Sequence, residues 1–266
     1  MFKIFKNTIE VQEIQLAGIT SKIKRTAPDG NFNFDYIVKA FASEEESTPT
    51  ATDTTSALIF KLDKVGLERI HFVYNDDMIG TSADIRLNKL NTRVKTFDLA
   101  NNMTFDLPNI NIDGLSAIVK QWAPATESKG VKAEDFGIAD ASVTETSLLP
   151  NLGTETITLK NIFVKYEDAS SAMKTQFDIK NLSANVDQID LNKEIVNLKE
   201  VILDQSDSYV VFDKFTKVKE TADTASAPVN WIVSVDKIAV DKTNFLFRDD
   251  NQARMKGFDY SNIGIK

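Results

Sequence analysis

Asp63-Lys64-Val65-Gly66-Leu67-Glu68-Arg69-Ile70-His71-Phe72-Val73-Tyr74-Asn75-Asp76-Asp77 decides the fold, because the chain spells this pattern three times. Asp236-Lys237-Ile238-Ala239-Val240-Asp241-Lys242-Thr243-Asn244-Phe245-Leu246-Phe247-Arg248-Asp249-Asp250 matches it without a gap. A middle copy, Leu159-Lys160-Asn161-Ile162-Phe163-Val164-Lys165-Tyr166-Glu167-Asp168, sits at an offset of 92 (159 minus 67). The same offset carries Leu90, Val94 and Phe97-Asp98-Leu99 onto Leu182, Val186 and Ile189-Asp190-Leu191. Within each copy the apolar residues alternate with period two, as they do in Ala83/Ile85/Leu87, Phe105/Leu107 and Ile110/Ile112, which is the mark of half-buried strands. No long segment keeps a helical stripe, and repetition of a strand phrase means an array.

The alternation slips by one residue at matching places. Val65 and Leu67 are odd-numbered while Ile70, Phe72 and Tyr74 are even; Ile238 and Val240 are even while Phe245 and Phe247 are odd. A slip either flips a strand's faces or bends it. Recurrence in the copies favours a bend, and matched bends curl a sheet about its apolar face. The expected fold class is therefore mainly β: an elongated, curled, groove-like repeat array with long flexible loops.

Thr8 to Ile19 parallels Thr104 to Leu115, and Phe258-Asp259-Tyr260-Ser261-Asn262-Ile263 is read onto Ile85-Arg86-Leu87-Asn88-Lys89-Leu90. These matches divide the chain into seven parts: 1–41, the tail of a preceding repeat; 42–57, an acidic flexible linker; 58–121, a repeat; 122–155, an irregular connection with room for a short strand or helical turn; 156–218, a repeat; 219–228, a second flexible linker; 229–266, a truncated repeat. Such arrays need polar caps and none is evident, so the expectation is an internal fragment of a longer protein.

The 266 residues, 42% hydrophobic and 26% charged, can bury a core, and a net charge of -8 argues against a nucleic-acid partner. With no cysteine there is neither a disulfide framework nor a thiolate metal site. No apolar run approaches the ~18 residues of a spanning helix.

Chemistry-bearing motifs are sparse. His71 is the only histidine, and its equivalents are Phe163 and Asn244, so it reads as an ordinary strand position. Asp76-Asp77, Glu167-Asp168 and Asp249-Asp250 end strands after an aromatic, where Asp forms turns; no glycine-spaced oxygen-ligand loop surrounds them. Phosphate loops, nucleophile elbows and His-Glu-x-x-His are absent. We therefore expect no catalytic, cofactor-binding or metal-binding residues. The remaining signal is the apolar face, rich in aromatics: Phe72, Tyr74, Ile85, Leu87, Val94, Phe105, Ile110, Ile112, Ile162, Val164, Phe177, Val186, Phe245 and Phe247 are expected to line a groove, with Phe97 and Tyr166 on the same face.

Trp231-Ile232-Val233-Ser234-Val235-Asp236-Lys237-Ile238-Ala239-Val240, followed by Phe245-Leu246-Phe247-Arg248-Asp249, resembles a recurring phrase of the AsmA-like family. Asn31-Phe32-Asn33-Phe34-Asp35-Tyr36-Ile37-Val38 is similar to another of its steps, and with Leu90 to Leu99 the chain looks most like the TamB-type translocation and assembly proteins of Bacteroidota. The resemblance implies a β-taco groove in a periplasmic protein tethered to the inner membrane by an anchor that this chain lacks. Its implied partners are phospholipid or other acyl chains and outer-membrane assembly proteins. On that taxonomy, Asp53-Thr54-Thr55 and Asp223-Thr224-Ala225 look like O-glycosylation acceptors at Thr54 and Thr224. The expected function is a non-enzymatic segment that conducts acyl chains; the alternative is a structural or adhesive β module with a closed core.

Overall fold

The computed structural model describes residues 2–5, 8–28, 30–41, 59–98, 103–123, 149–215 and 231–265. Both acidic linkers, with Thr54 and Thr224, and most of the 122–155 connection lie outside them.

In chain order the elements are β1 (Phe2–Phe5), β2 (Thr8–Val11), β3 (Ile14–Ala17), β4 (Thr20–Arg25), α1 (Asp35–Phe41), β5 (Ile59–Leu62), β6 (Lys64–Asp76), β7 (Thr81–Arg93), β8 (Thr96–Asp98) and β9 (Thr104–Asp106). They continue as β10 (Asn109–Gln121), β11 (Asn151–Gly153), β12 (Thr156–Asp168), β13 (Met173–Asp190), β14 (Ile195–Phe212), β15 (Ile232–Asp249) and β16 (Asn262–Ile265). One ten-stranded sheet runs β16-β15-β14-β13-β12-β10-β7-β6, with β3 and β4 sharing the far edge of β6. Two three-stranded sheets, β1-β2-β5 and β8-β9-β11, flank it. The mainly β expectation holds, and the sheets do not close into a barrel.

The repeat unit is a three-stranded antiparallel meander, β6-β7-β10 and then β12-β13-β14. Units meet through parallel pairs: β10 with β12, β14 with β15, and β3 and β4 with β6. A parallel neighbour cannot be reached by a tight turn, which is why a long connection precedes β6, β12 and β15. The three copies of the strand phrase are β6, β12 and β15, and cross-strand register puts Leu67, Leu159 and Val240 in a single row.

In six segments the backbone turns left-handed where the alternation slips. Gly18 (φ 71°), Arg69 (51°), Gly114 (74°), Asn161 (52°), Gln205 (57°) and Lys242 (45°) all have positive φ. Register aligns them, through Asn88 of β7 and Lys180 of β13, as one line across the sheet. Every left-handed position on this line belongs to chain running with β6, and the two strands that run against it, β7 and β13, pass the line without positive φ. Each strand carries one extra residue in the apolar pattern there, so the ladder keeps its register while side-chain facing resets. Glycine and asparagine take this conformation at little cost; Arg69, Gln205 and Lys242 take it against roughly 1–2 kcal/mol each.

A second line lies five or six residues below the first. Strands are interrupted at Gln12-Glu13, Asp63, Val94-Lys95, Leu107-Pro108 and Thr154-Glu155, and β13 shows a register shift at Val186. Backbone hydrogen bonds step across it, from Val94 N to Asp63 O (2.8 Å), Glu155 N to Pro108 O (3.0 Å) and Val186 N to Glu155 O (2.9 Å). Buried Val11, Leu62 and Val94 cluster here, with Ile9, Ile14, Val65, Phe97 and Leu107 packed on them.

The structure corrects several sequence expectations. Val94 belongs to this corner cluster, and Phe105 pairs edge-on with Phe97 (5.4 Å between centroids) in the small β8-β9-β11 sheet, so neither lies on the broad face of the ten-stranded sheet. Ile263 faces Phe247 and Ile265 faces Phe245, as Ala83 faces Tyr74 and Ile85 faces Phe72, so the match of Ile263 to Leu90 is displaced by seven residues. Residues 1–41 also carry a short helix. The β4 part of one edge is blunted: Lys24 N donates to the Asn33 side-chain Oδ1 (2.9 Å), and Asn33 donates from Nδ2 to Lys22 O (2.9 Å) and from its backbone N to Lys24 O (2.8 Å), on the outer side of β4.

β4 is fixed to β6 by a buried ion pair. Arg25 grips Asp76 bidentately (Nε to Oδ1 2.9 Å, Nη2 to Oδ2 2.6 Å) and sits over the Phe32 ring at 5.0 Å. Asp76 is fully buried (0% exposed) and also accepts from the Tyr74 hydroxyl (2.6 Å) and from the amides of Met78 and Ile79. Burial pushes the Asp76 carboxyl up, but Arg25, Tyr74 and the Ile79 amide outweigh it and hold the group below its ordinary value. Burial, then the bond to Asp76, pushes the Tyr74 hydroxyl up to about 12.

This geometry is open to mutational and pH tests. A Cβ on Gly114 would stand 2.7 Å from the Asn88 Cβ, whereas one on Gly18 meets nothing within 4 Å. Gly18→Ala should therefore cost only the ~1–2 kcal/mol of a left-handed alanine, and Gly114→Ala clearly more, in denaturant unfolding. Asp76, depressed when folded, contributes stability above an ordinary pKa near ~4 that is lost as pH falls through its folded value. Tyr74, raised when folded, contributes stability below pH ~10 that is lost on the way to about 12. Unfolding midpoints measured against pH should show the acid loss flattened in Asp76→Asn and the alkaline loss flattened in Tyr74→Phe, while Arg25→Met, which strands a buried carboxylate, should cost about 3–5 kcal/mol.

Candidate functional site: one open apolar face

Side chains alternate across a strand, so register alone assigns the two faces of the sheet. Leu16, Leu67, Leu90, Ile112, Leu159, Leu182, Leu203 and Val240 are successive partners, an unbroken aliphatic row. Adjacent strands lie ~4.8 Å apart, so the row spans roughly 34 Å. Beside it run Val65, Thr92, Ile110, Ile157, Ala184, Val201 and Ile238. Beyond the left-handed line come Ile70, Leu87, Leu115, Ile162 and Ile179, then Phe72, Ile85, Ala117, Val164 and Phe177, then Tyr74, Ala83, Val119 and Tyr166. Phe245 and Phe247 extend the last two rows on β15.

Of the residues expected to line a groove, Phe72, Tyr74, Ile85, Leu87, Ile110, Ile112, Ile162, Val164, Phe177, Phe245 and Phe247 thus share one face, and Val186 lies at its lower margin. Sequence reasoning passed over the most continuous feature, the Leu67 to Val240 row. The offset that laid Leu67 on Leu159 and Leu90 on Leu182 already contained it.

Among the described residues no second layer of structure lies over this face. Only a few of its members are buried, Ile162 (5% exposed) and Ala184 among them; most are half-buried, and on β15 Ile238 (62%) and Val240 (54%) are largely exposed. Among the described residues the face is interrupted by buried Thr92 and, more broadly, by a hydroxyl cluster on β13 and β14. Ser206 and Ser208 are buried and bond each other (2.8 Å), and the buried Thr175 hydroxyl next to them has no partner among the described residues.

The opposite face is charged. Cross-strand or neighbouring pairs include Lys89–Glu68 (3.8 Å), Lys120–Glu167 (3.6 Å), Lys165–Glu167 (2.7 Å) and Lys174–Asp213 (2.6 Å). Exposed pairs of this kind are worth ~0–1 kcal/mol each, and their consequence is to mark this face as the wetted one. His71 sits here, against Asp84 (3.1 Å), which Arg86 also holds (3.1 Å). The Arg86 hydrogen bond is the main cause of the lowered Asp84 pKa. A shallow open depression of about 560 Å³ follows the left-handed line between Arg69, His71, Arg86, Asn88 and Phe163. The strand-end carboxylates are engaged in turns: Asp168 accepts from Ser170 N (2.8 Å) and Asp249 from Asn251 N (2.9 Å), as Asp76 does from Met78 N. Among the described residues no group of three potential metal ligands converges.

Openness of the face has a thermodynamic signature. Ile162→Ala should cost about 2–4 kcal/mol, whereas Ile238→Ala, on the same face, should stay within ~0.5 kcal/mol in the same unfolding assay. An equal loss at both positions would mean that something covers β15 as well as β12.

Comparisons with protein-family models, with curated proteins and with solved structures each return no match.

Proposed function

We propose that this chain is a non-enzymatic segment of an envelope protein that crosses the periplasm, tethered to the inner membrane elsewhere in the polypeptide. Its apolar sheet face, curled along the two lines of bending, conducts lipid acyl chains and supports outer-membrane biogenesis or protein assembly. The observation that carries the reading is the aliphatic row from Leu16 to Val240, continuous across eight strands of the ten-stranded sheet with no second layer among the described residues. The resemblance of Trp231 to Asp249 to AsmA-like proteins points the same way.

The physics suits the role. A 16-carbon chain in water forgoes on the order of 12 kcal/mol of burial at ~0.8 kcal/mol per CH₂. Cover by a half-buried aliphatic floor recovers part of that at every position along the row. One acyl chain fills half of a bilayer's ~30 Å hydrocarbon core, so a row of roughly 34 Å is longer than the chain it would hold. Because neighbouring rungs are chemically alike, movement from one to the next meets no deep minimum.

The test is photocrosslinking from the face and from its back. A photoreactive residue at Ile112 or Val164 should capture lipid in protein purified gently from an envelope-targeted host, and one at Ile118, on the charged face, should not. Mass spectrometry of the extract identifies the lipid. Absence of co-purified lipid together with equal, background labelling at Ile112 and Ile118 would sink the proposal and leave a structural or adhesive module in its place.

A further inference from the structure

The two outer edges of the large sheet are treated differently. On β4 the edge is plugged by Asn33, whose backbone and side-chain amide take up Lys22 and Lys24. On β15 the upper part, Phe245 to Arg248, is paired antiparallel with β16. From Ile232 to Lys242 its outer side has no strand partner among the described residues. This free stretch is apolar as well as unpaired: Ile232 and Val233 are each 61% exposed, with Ile238 and Val240 beside them. A long open edge with exposed aliphatics is one that folded proteins ordinarily blunt.

We propose that the Ile232–Lys242 edge of β15 is a docking site for one more polypeptide strand. That strand runs antiparallel, continues the ladder that β16 begins, and carries the pattern of β13. Three observations select this partner. First, β12 and β6 receive β13 and β7, antiparallel, on the side that β15 leaves open. Second, β15 repeats the face pattern of β12: Val240 and Ile238 share rows with Leu159 and Ile157, which β13 meets with Leu182 and Ala184. Third, β16 seats four residues antiparallel with Phe245↔Ile265 and Arg248↔Asn262, which fixes both the direction and the register of a strand that extends it. The acidic Asp241 occupies the row of Asp204, whose carboxylate accepts from Asn181 of β13 (3.3 Å), so a polar amide or basic residue is expected opposite it.

Backbone direction supplies a specific test. Ile232 N bonds Glu194 O on the β14 side (2.8 Å), so by the period of two the amides of Val235, Lys237 and Ala239 point to the open edge. Ala239→Pro therefore removes an edge donor while leaving the ladder to β14 intact. The probe is a fluorescent synthetic peptide with the sequence of residues 179–190, titrated into the whole chain. Expected results are saturable binding, at least tenfold weaker binding to Ala239→Pro, none by a scrambled peptide, and disulfide trapping of a cysteine at Ala239 with one at the Ser183 position of the peptide. The chain has no cysteine of its own, so trapping reads register directly.

As a control that does not depend on the variant folding, a peptide N-methylated on the amides that face the protein should lose binding to the wild-type chain. No binding to the wild-type chain, or equal binding to Ala239→Pro and by the N-methylated peptide, would overturn the proposal. So would a dimer that Ala239→Pro dissolves, because the edge would then belong to a second copy.

Discussion

A sheet this wide must keep its ladder in register while every strand resets the facing of its side chains, and the rest of the structure depends on how that is done. The line of left-handed residues from Gly18 to Lys242 solves it by giving every strand one extra residue at the same height. A bulge in a single strand would have shifted its register against both neighbours and sent half of its apolar side chains to the wrong face. When all strands change together, no pair is out of step. The cost falls on Arg69, Gln205 and Lys242, whose side chains disfavour the conformation, and it is offset by the pairing on both sides.

That constraint explains what is legible from sequence and what is not. The slip between Leu67 and Ile70, and again between Val240 and Phe245, is visible because it changes the parity of strongly apolar positions. Its matched recurrence is enough to place the line across the copies. Which strands carry the left-handed residue is not visible, since Arg69, Gln205 and Lys242 are not residues that announce it, and strand direction decides. The lower line reads as continuous strand at Val94 and Phe105, because a strand that breaks and resumes keeps nearly the same alternation. Only Pro108 and Gly153 hint at interruption. At the C-terminal end, Phe258 and Tyr260 align with Ile85 and Leu87 by residue type alone. The ladder places Ile265 there, because hydrogen-bond register and not local composition selects the partner.

The candidate site is legible in the same measure. The individual positions Phe72, Ile85, Ile112 and Val164 stand out as large side chains on one parity. Their union into rows needs strand order, and the parallel joints β10 to β12 and β14 to β15 cannot be inferred from short-range pattern, since long connections hide which strand is rejoined. The turn role of Asp76, Asp168 and Asp249 is evident from position, yet the Arg25–Asp76 pair is not: Arg25 lies 51 residues upstream of its partner, on the last strand of the preceding unit. It joins two units at their polar ends, while aliphatic rows join them along their length.

A face built from repeated aliphatic rungs has a consequence for selectivity. Discrimination between ligands comes from polar groups that must be satisfied, and such groups are nearly absent from the rows that begin at Leu67, Ile70 and Phe72. Under the proposed function, this face distinguishes apolar chains from water and little else. The exception is the Thr175, Ser206 and Ser208 patch, where buried hydroxyls interrupt the floor of the second unit. Under the proposed function, an acyl chain passing over it meets hydroxyl-bearing side chains where the first unit offers aliphatic ones. The first unit has Ala83, Leu115 and Ala117 at the corresponding places on β7 and β10, so the two units are not equivalent despite their common backbone. Repetition therefore fixes the architecture of the face, and under the proposed function its departures from repetition are the places where one end of a ligand would be distinguished from the other.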